Sequence, residues 1–320
     1  MELKKVLLVG GSGFVGSWIA NRLGERGIRV TIPTRRRENA RPLILLPMVD
    51  MVEANIHDPQ QLATLMQGQD AVINLVGILH DADSRLPYGK GFAAAHVELP
   101  KKILAAMRQR GVRRLVHMSA LRAAADGPSE YLRSKGEGEA AVRAAMGELD
   151  ITVFRPSVIF GPGDAFLNTF AKLLNLFPVF PLGGGAARFQ PVYVADVAVA
   201  FADSLADRAT FGQVYELGGP KVYTLRQLVD YVGGQIGKPR LIIDLGDGGW
   251  AYLQAGLLSL LPNPPLSPDN LRSMAVDSVT DDQYNYPGWH PAALESIAPT
   301  YLTAIKPKMR LDGYRYRAGR

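Results

Sequence analysis

The chain has 320 residues, of which 47% are hydrophobic and 21% are charged, the composition of an ordinary globular protein. The absence of cysteine excludes disulfides and thiolate metal sites, and the five histidines show no spacing typical of metal ligands, so we expect no metal site. Of the net charge of +6, the last fifteen residues carry +5 through six Lys/Arg against one Asp; the nearly neutral remainder contains no recognition module and predicts no nucleic-acid binding.

Short apolar, β-branched runs alternate along the first half of the chain with stretches that are mostly long enough for a helix. This alternation is typical of βαβ units and predicts an α/β fold, a Rossmann doubly wound parallel sheet. The N-terminal residues enter the first run directly, so we expect no export signal. The predicted strands are residues 6–9, 30–32, 51–52, 71–76, 115–118 and 151–154.

A glycine-rich turn follows the first predicted strand and opens an amphipathic segment. It reads Gly10-Gly11-Ser12-Gly13-Phe14-Val15-Gly16, a GxxGxxG spacing. Because glycine lacks a Cβ atom, backbone N–H groups at the start of the next helix can approach a pyrophosphate closely, and the helix N-terminus favours that anion. Strand, turn and helix in this order predict a dinucleotide phosphate site rather than a merely tight turn. Its residues are Gly10, Gly13, Phe14, Val15 and Gly16.

Arginines stand at the end of the second predicted strand, where the sequence reads Thr34-Arg35-Arg36-Arg37. An NAD site usually has Asp or Glu there for the ribose hydroxyls, whereas guanidinium groups suit a 2′-phosphate. Arg35 and Arg36 therefore favour NADP(H) over NAD(H). The alternative is a solvated basic loop that does not touch the cofactor.

Two further strand ends supply candidate contacts to the adenosine half of the cofactor. We expect Asn55 and Ile56 to flank the adenine, and the residues from Asn74 onward, Leu75, Val76 and Gly77, to lie under the ribose. Asparagine is also common in strand-end turns for conformational reasons alone, which is the alternative.

Tyr131 and Lys135 lie four residues apart on a predicted helix, hence on one face. A cation beside a phenol favours the phenolate, so we expect the pKa of Tyr131 to lie below its usual value of about 10 and the phenol to transfer a proton at a substrate oxygen. Ser119, at the end of the fifth predicted strand, is placed to hydrogen-bond the same oxygen. A surface Tyr–Lys pair is the alternative, because the YxxxK spacing is frequent by chance.

The spaced motifs resemble those of the extended, atypical short-chain dehydrogenases/reductases, the NAD-dependent epimerase/dehydratase family. The resemblance covers residues 3 to about 235. It implies that Tyr131 and Lys135 form the acid/base pair with Ser119 as partner, and that Lys135 also contacts the cofactor. It further implies that Pro156, Val158 and Ile159 lie beside the nicotinamide. The matching segments are TGxxGFxG at 9–16, YxxxK at 131–135, RPxxxxGPGD at 155–164, VxVxDVA at 191–198 and the run 215–220.

Two positions depart from the family pattern: Val9 replaces a threonine, and His96 stands where an asparagine of the NVxGT motif helps a proton relay. Within the family, the sequence is most similar to the nucleotide-binding accessory subunit of respiratory complex I and its bacterial relatives. This similarity implies a dinucleotide that is held structurally rather than turned over.

After about residue 160 the strand–helix rhythm loosens. We predict a Rossmann domain formed by residues 1–165 and about 190–220, and a smaller, discontinuous C-terminal domain of substrate type formed by about 166–189 and 221–320. The uncharged stretch 248–268 is broken by four prolines and predicts no transmembrane helix. Its aromatic-headed segment 249–258 is either a surface helix facing a membrane or partner, or a lid over a substrate pocket.

Three functions remain open. The first is an NADP(H)-holding component of a membrane-associated redox complex, contacting its partners through the C-terminal domain and the basic tail 306–320, which is otherwise a solvated terminus. The second is a sugar-nucleotide epimerase or reductase that uses Tyr131 as acid/base, with Lys172, Arg188 and Arg272 as possible diphosphate contacts. The third is an NADP(H) redox sensor. We expect a cytoplasmic protein, peripheral at the inner face of a membrane in the first case.

Overall fold

The computed structural model describes residues 3–36, 38, 43, 45–83, 85–259 and 266–303; Arg37 and the basic tail 306–320 lie outside these residues. The strands are β1 (Lys5–Val9), β2 (Arg29–Thr34), β3 (Val49–Glu53), β4 (Ala71–Asn74), β5 (Arg114–Met118), β6 (Asp150–Pro156), β7 (Ile159–Phe160), β8 (Val179–Gly183), β9 (Arg188–Phe189), β10 (Val192–Tyr193), β11 (Gln213–Leu217), β12 (Tyr223–Thr224) and β13 (Leu241–Gly246). The helices are α1 (Phe14–Glu25), α2 (Pro59–Leu65), α3 (Lys90–Phe92), α4 (Leu99–Arg110), α5 (Glu130–Arg143), α6 (Phe166–Leu176), α7 (Val194–Ser204), α8 (Leu225–Gln235), α9 (Gly249–Leu258), α10 (Pro268–Ser273) and α11 (Leu294–Leu302), with a π-helical segment at Ala93–Glu98.

Seven parallel strands form the central sheet, in the order β11-β6-β5-β4-β1-β2-β3. The strand order reverses between β1 and β4, which are paired side by side. In open α/β sheets of this kind, ligands bind outside the carboxyl ends of the strands at such a switch point. The predicted Rossmann doubly wound sheet is therefore confirmed.

Helices cover both faces of the sheet and bury its apolar side chains. On one face α1 and α7 pack together, and their residues Ile19, Leu23 and Phe201 belong to a single buried cluster. On the other face α2, α4 and α5 pack over the sheet, and Ile103 and Met107 of α4 are completely or almost completely buried. Both faces are thus apolar, as the β-branched runs of the parallel strands require.

A third buried cluster lies outside the sheet and joins α6, α8 and α11 with β8. Leu167 of α6, Leu228 of α8 and Ala298 of α11 are fully buried in it. A two-stranded parallel sheet of β8 and β13 adjoins this cluster, and α9 packs on β8. Within the described residues, no helix is long and apolar enough to cross a membrane.

The six predicted strands are all present as β1 to β6; five extend one or two residues further than predicted at one or both ends, and one is shorter. β4 ends at Asn74, two residues earlier than expected, because the Asn74 side-chain oxygen accepts the backbone N–H of Val76 at 3.2 Å and turns the chain. The seventh strand, β11, lies far along the chain and pairs with β6 at the sheet edge. In the sequence, residues 215–220 match a family motif, and no strand is predicted there.

Candidate functional site

One continuous cavity of about 1410 Å3 runs along the carboxyl edge of the sheet and onward beneath α6 and α9. The predicted catalytic and cofactor-binding residues line it, with the exception of Arg36. Those that line it are Gly10, Gly13, Phe14, Val15, Gly16, Arg35, Asn55, Ile56, Leu75, Val76, Gly77, Ser119, Tyr131, Lys135, Pro156, Val158 and Ile159.

The glycine-rich turn brings backbone, not side chains, to the cavity wall. Gly10 has φ +86°, and a Cβ there would lie 3.2 Å from the backbone of Leu75 and Val76. A Cβ at Gly16 would lie 2.5 Å from the Cα of Gly11, so this close contact between helix and turn requires glycine. Gly13 is the N-cap of α1 and supplies no side-chain cap, which leaves the first N–H groups of the helix available to an anion in the cavity.

The end of β2 presents Arg35 to the same cavity. Arg35 is exposed and lines the wall, whereas Arg36 is exposed without lining it, and its carbonyl accepts a hydrogen bond from Thr34 Oγ1 at 2.9 Å. No aspartate or glutamate is found among the described residues that line the cavity. The charged groups that a ligand meets in this part of the chain are therefore cations.

Two asparagines, one after β3 and one at the end of β4, shape the turns around the cavity. Asn55 Oδ1 accepts the backbone N–H of His57 at 3.0 Å, and Asn55 itself remains exposed at the wall. Asn74 is buried, and its Nδ2 lies 3.2 Å from Nδ1 of His117. Burial and the nearby Lys135 ammonium lower the pKa of His117 to about 3, so this ring is neutral. Asn74 thus holds the turn, while the following residues 75–77 form the wall.

Tyr131, near the start of α5, is partly buried and faces the cavity. Its hydroxyl forms no hydrogen bond with any residue that the structure describes, although its ring packs edge-on against His96 and Phe92. Burial raises the pKa of Tyr131 to about 12. The expectation of a lowered pKa is therefore wrong for this structure, because burial of the phenol disfavours the charged phenolate.

Lys135 is buried one helical turn after Tyr131. Its Nζ donates to the carbonyl of Met118 at the end of β5, at 3.0 Å. Burial lowers the pKa of Lys135 to about 8, and the Glu139 carboxylate one turn further along partly opposes that shift. The Lys135 ammonium therefore lies in the cavity wall, between the Tyr131 side chain and the carboxyl ends of the strands.

The hydroxyl of Ser119 forms a different hydrogen bond from the one predicted. Its Oγ donates to the buried carboxylate of Glu139 at 2.6 Å, so its proton is directed away from Tyr131. Glu139 in turn binds the guanidinium of Arg155 through both oxygens, and Arg155 reaches Glu216 of β11 at 3.6 Å. The motif at 155–164 contains Arg155 but does not indicate its partner Glu139. The spacing of four residues between Lys135 and Glu139 is the sequence signal that places Glu139 on the same helix face.

His96 occupies the centre of the π-helical segment and is 2% exposed. Its Nε2 lies 3.0 Å from the backbone N–H of Ile78, which can only donate, so Nε2 is unprotonated. Nδ1 then carries the hydrogen and donates to Ser134 Oγ at 2.8 Å, and Ser134 Oγ donates to the carbonyl of Tyr131. Burial, reinforced by the nearby Lys135, lowers the pKa of His96 to about 2. Both ring nitrogens are thus committed to fixed partners.

The part of the cavity beyond Tyr131 differs from the expected diphosphate site. Lys172 is exposed and lies off the wall; Arg188 pairs with Asp277 at 3.4 Å. Arg272 pairs with Glu130 and Asp269, also away from this cavity. None of these three cations lines it, so the suggestion that they contact a nucleoside diphosphate there is wrong.

Comparisons with known proteins agree with this architecture. A sequence profile of the NAD dependent epimerase/dehydratase family matches residues 6–218. NADH dehydrogenase (ubiquinone) 1 alpha subcomplex subunit 9, mitochondrial, of Arabidopsis thaliana is 33% identical over 228 residues, which make up 69% of this chain and 55% of that protein; the chain thus spans little more than half of that relative's length. The mitochondrial NADH-ubiquinone oxidoreductase 40 kDa subunit of Neurospora crassa is 28% identical over 309 residues, 95% of this chain and 80% of that protein.

A solved structure, UDP-N-acetylglucosamine 4-epimerase from Methanobrevibacter ruminantium, aligns with a TM-score of 0.72 at 18% identity. The alignment covers 95% of this chain and 97% of that one. At this identity the similarity concerns the fold alone.

Proposed function

The chain belongs to the NAD-dependent epimerase/dehydratase family, and from that premise we propose that it holds NADP(H) as a component of a membrane-associated redox complex. In this role the dinucleotide stays bound and supports the fold, and the protein makes little use of it for hydride transfer. Bound NADP(H) would supply or accept a hydride, and the residues of this chain would bind it and hold positive charge around it.

The glycine-rich turn fits a pyrophosphate. Gly10 and Gly16 permit close backbone approach, and the uncapped N-terminus of α1 at Gly13 offers N–H groups to an anion. Arg35, Arg122 and Lys135 add positive charge to a wall that has no described carboxylate. The ligand that suits this half of the cavity is therefore a polyanion with a diphosphate at its centre.

The preference for NADP(H) over NAD(H) is supported by the end of β2. Arg35 lines the cavity there, where a carboxylate would otherwise accept the ribose hydroxyls. A guanidinium pairs with a 2′-phosphate through charge-assisted hydrogen bonds. Arg36, which does not line the cavity, is withdrawn from the proposed contacts.

The observation that carries the structural role is the closed hydrogen-bonding of His96. A residue that relays protons between Lys135 and solvent needs a nitrogen or oxygen that can exchange partners. Both nitrogens of His96 are bonded, to Ile78 N–H and to Ser134 Oγ, and its pKa of about 2 keeps the ring neutral. The relay position is thus filled by a group that braces α5 against the segment after β4.

We infer a redox complex as the partner from the relatives that share the sequence, both named as subunits of NADH-ubiquinone oxidoreductases. Helix α9 adds an apolar surface in the C-terminal region, with Trp250 72% and Leu253 53% exposed. A peripheral position at a membrane-bound assembly, reached through this region, accounts for such a surface.

The test is gentle extraction of the native protein, followed by identification of the bound nucleotide and of the size of the assembly. We expect NADP(H) in a particle much larger than 34.8 kDa. In cells, Tyr131→Phe should leave the assembly intact, whereas Gly13→Asp should reduce its amount by blocking the phosphate site. A protein that runs at its own mass and loses a soluble activity with Tyr131→Phe contradicts the proposal.

A second candidate is hydride transfer with Tyr131 as acid/base, and a specific observation favours it: the Tyr131 hydroxyl faces the cavity without a described hydrogen-bond partner. In this role Tyr131 Oη gives or takes the proton of a substrate hydroxyl, with Lys135 holding positive charge nearby. The raised pKa of Tyr131 weakens the phenol as a base at neutral pH, since little phenolate is present. Loss of a purified activity in Tyr131→Phe, with dinucleotide binding retained, would establish this alternative.

A further inference from the structure

The cavity extends beyond the strand ends and the glycine-rich turn that would hold a dinucleotide. Its volume of about 1410 Å3 exceeds the roughly 300–1,000 Å3 typical of a pocket for one drug-sized ligand. The surplus lies beyond Tyr131 in what we call the C-terminal chamber, the part of the cavity lined by Phe166, Phe170, Leu173, Phe177, Phe180 and Leu257.

Helix α6 has two apolar faces, which is unusual for a helix with only one neighbouring core. Leu167, Ala171 and Leu174 are buried in the cluster that α6 shares with α8 and α11. Phe166, Phe170 and Leu173 form a second stripe at spacings of four and three residues, and Phe177 follows directly after the helix in extended conformation. The three helical residues pack partly against the same cluster, and their remaining surface, with Phe177, lines the chamber.

Several polar side chains of the chamber are already hydrogen-bonded within the protein. Gln254 Nε2 donates to the carbonyl of Pro181 at 2.7 Å, and its Oε1 accepts from the N–H of Gly183. Asn270 Oδ1 accepts from the backbone and hydroxyl of Ser267, and Thr169 Oγ1 bonds within its own helix. From residue 165 onward, no described wall residue is charged. A polar ligand such as a sugar would therefore lose its hydrogen bonds to water and gain few in return.

The chamber opens through an apolar rim. Phe177 and Leu257 line the chamber and are also 46% and 62% exposed, so they stand at its mouth. Leu176, next to Phe177 in the chain, and Trp250 of α9 are also mostly exposed. An apolar molecule at the mouth therefore meets apolar side chains before it enters the chamber.

We propose that the C-terminal chamber binds a single long apolar chain, the acyl or alkyl chain of a single-chain amphiphile, with its polar end directed toward Tyr131. The chain fills a space whose walls are aromatic and aliphatic, and the unpartnered Tyr131 hydroxyl meets the polar end. This site is separate from the dinucleotide half of the cavity and holds whether the dinucleotide is structural or reactive.

The experiment uses the purified full chain and cis-parinaric acid, an 18-carbon fatty acid whose fluorescence rises in an apolar site. We expect saturable binding of one molecule per chain, displaced by 1-decanol and not by UDP-N-acetylglucosamine. Thr169→Trp, which fills the chamber without breaking a tertiary hydrogen bond, and Leu257→Asp, which places a charge at its mouth, should each weaken binding at least tenfold.

Leu253→Asp is the matched control, because Leu253 lies one turn before Leu257 on α9, is comparably exposed and does not line the chamber. It should leave binding unchanged. NADPH binding, measured on every variant, shows that the fold is intact and reports separately on the proposed function. Absence of saturable fatty-acid binding, equal loss in both α9 variants, or displacement by the sugar nucleotide alone would each overturn the chain-binding site.

Discussion

Lys135 and His96 lie close together near Gly77, at the edge of the sheet. Lys135 Nζ and His96 Nε2 both lie about 3.5 Å from where a Cβ of Gly77 would be, so a cation and a neutral imidazole share the space under that glycine. His96 stays neutral because it is buried beside a cation, and Lys135 in turn has a lowered pKa because it is buried. The buried cation therefore destabilises the folded chain when no ligand is bound, and a bound anion would offset that destabilisation.

Replacement of Lys135 by methionine should therefore stabilise the protein in the absence of dinucleotide. The folded chain releases the Lys135 proton at a pH of about 8, the unfolded chain only near 10.5, so the unfolded state binds more protons in that window. The free energy of unfolding of the wild type should rise through this window, whereas that of Lys135→Met should lack this rise and exceed the wild type at pH 7 by up to about 3 kcal/mol.

Urea unfolding at pH 7, 8, 9 and 10 measures this difference. Lys172→Met, which removes an exposed lysine of α6, is the control and should leave the pH dependence unchanged. The same Lys135→Met variant should bind dinucleotide more weakly. A variant that is less stable than the wild type at pH 7 and keeps its pH dependence would show that Lys135 is not held at a cost.

At the end of β2, two adjacent arginines allow a direct test of cofactor choice. Arg35→Asp should weaken NADPH by roughly 10–100-fold, since hydrogen bonds to a charged group contribute roughly 1.5–3 kcal/mol, and should weaken NADH much less. Arg36→Asp makes the same charge change one residue further on, outside the cavity wall, and should have a smaller effect. Isothermal titration with both dinucleotides decides it; equal losses for NADPH and NADH in Arg35→Asp would refute the 2′-phosphate contact.

Among the elements, α5 and the π-helical segment Ala93–Glu98 position the site together. A π-helical turn inserts an extra residue and is frequent at functional sites. Here it brings the carbonyl of His96 close to Gly138 of α5, where an added Cβ would lie 1.8 Å from that oxygen. The position of Lys135 and Glu139 on α5 thus depends on a glycine that faces backbone.

Gly138→Ala should destabilise the protein by about 1–3 kcal/mol or more, because α5 must move away from the π-helical segment to accommodate the methyl group. It should also weaken dinucleotide binding by displacing Lys135. Gly234→Ala is the control: Gly234 lies near the end of α8 with nothing within 4 Å of an added Cβ, and alanine there should stabilise by about 0.4–1 kcal/mol. Urea unfolding of both variants tests the pair; equal stabilities would contradict the close approach.

The sequence predicted those parts of the fold and the site that depend on local pattern. Strands β1 to β6 follow from β-branched apolar runs, and the glycine turn follows from its spacing. The pairing of Glu139 with both Ser119 and Arg155, and the edge strand β11, depend on contacts between distant segments that periodicity does not encode. Local reasoning also judged the pKa of Tyr131 from one neighbouring cation and missed burial, which only the folded structure reveals. The proposed division into two domains stays a prediction.

In the whole molecule, the cavity lies where separate buried clusters meet. The sheet faces carry two of these clusters and the C-terminal helices a third, and the cavity wall draws residues from all of these regions. A ligand that spans this wall adds contacts between residues of these clusters. Binding of the dinucleotide should therefore be measurable as an increase in the stability of the whole chain.

NADPH should raise the melting temperature of the protein, and Gly13→Asp should abolish that rise. A ligand that binds only the folded state adds about 2.7 kcal/mol at a concentration 100-fold above its Kd, which corresponds to a few degrees for a chain of this size.

Gly13 has an ordinary extended backbone with φ −81° and is the N-cap of α1, a position at which aspartate is preferred. An added Cβ would lie 3.3 Å from the carbonyl oxygen of Gly10, a tight contact that opposes the gain from capping, so without NADPH the variant should melt close to the wild-type temperature. Its carboxylate would nevertheless stand where the pyrophosphate approaches the helix N-terminus, so NADPH should no longer stabilise it. Differential scanning calorimetry with and without NADPH separates the two effects. If the variant keeps the NADPH-induced rise in melting temperature, the phosphate site does not lie at the glycine turn.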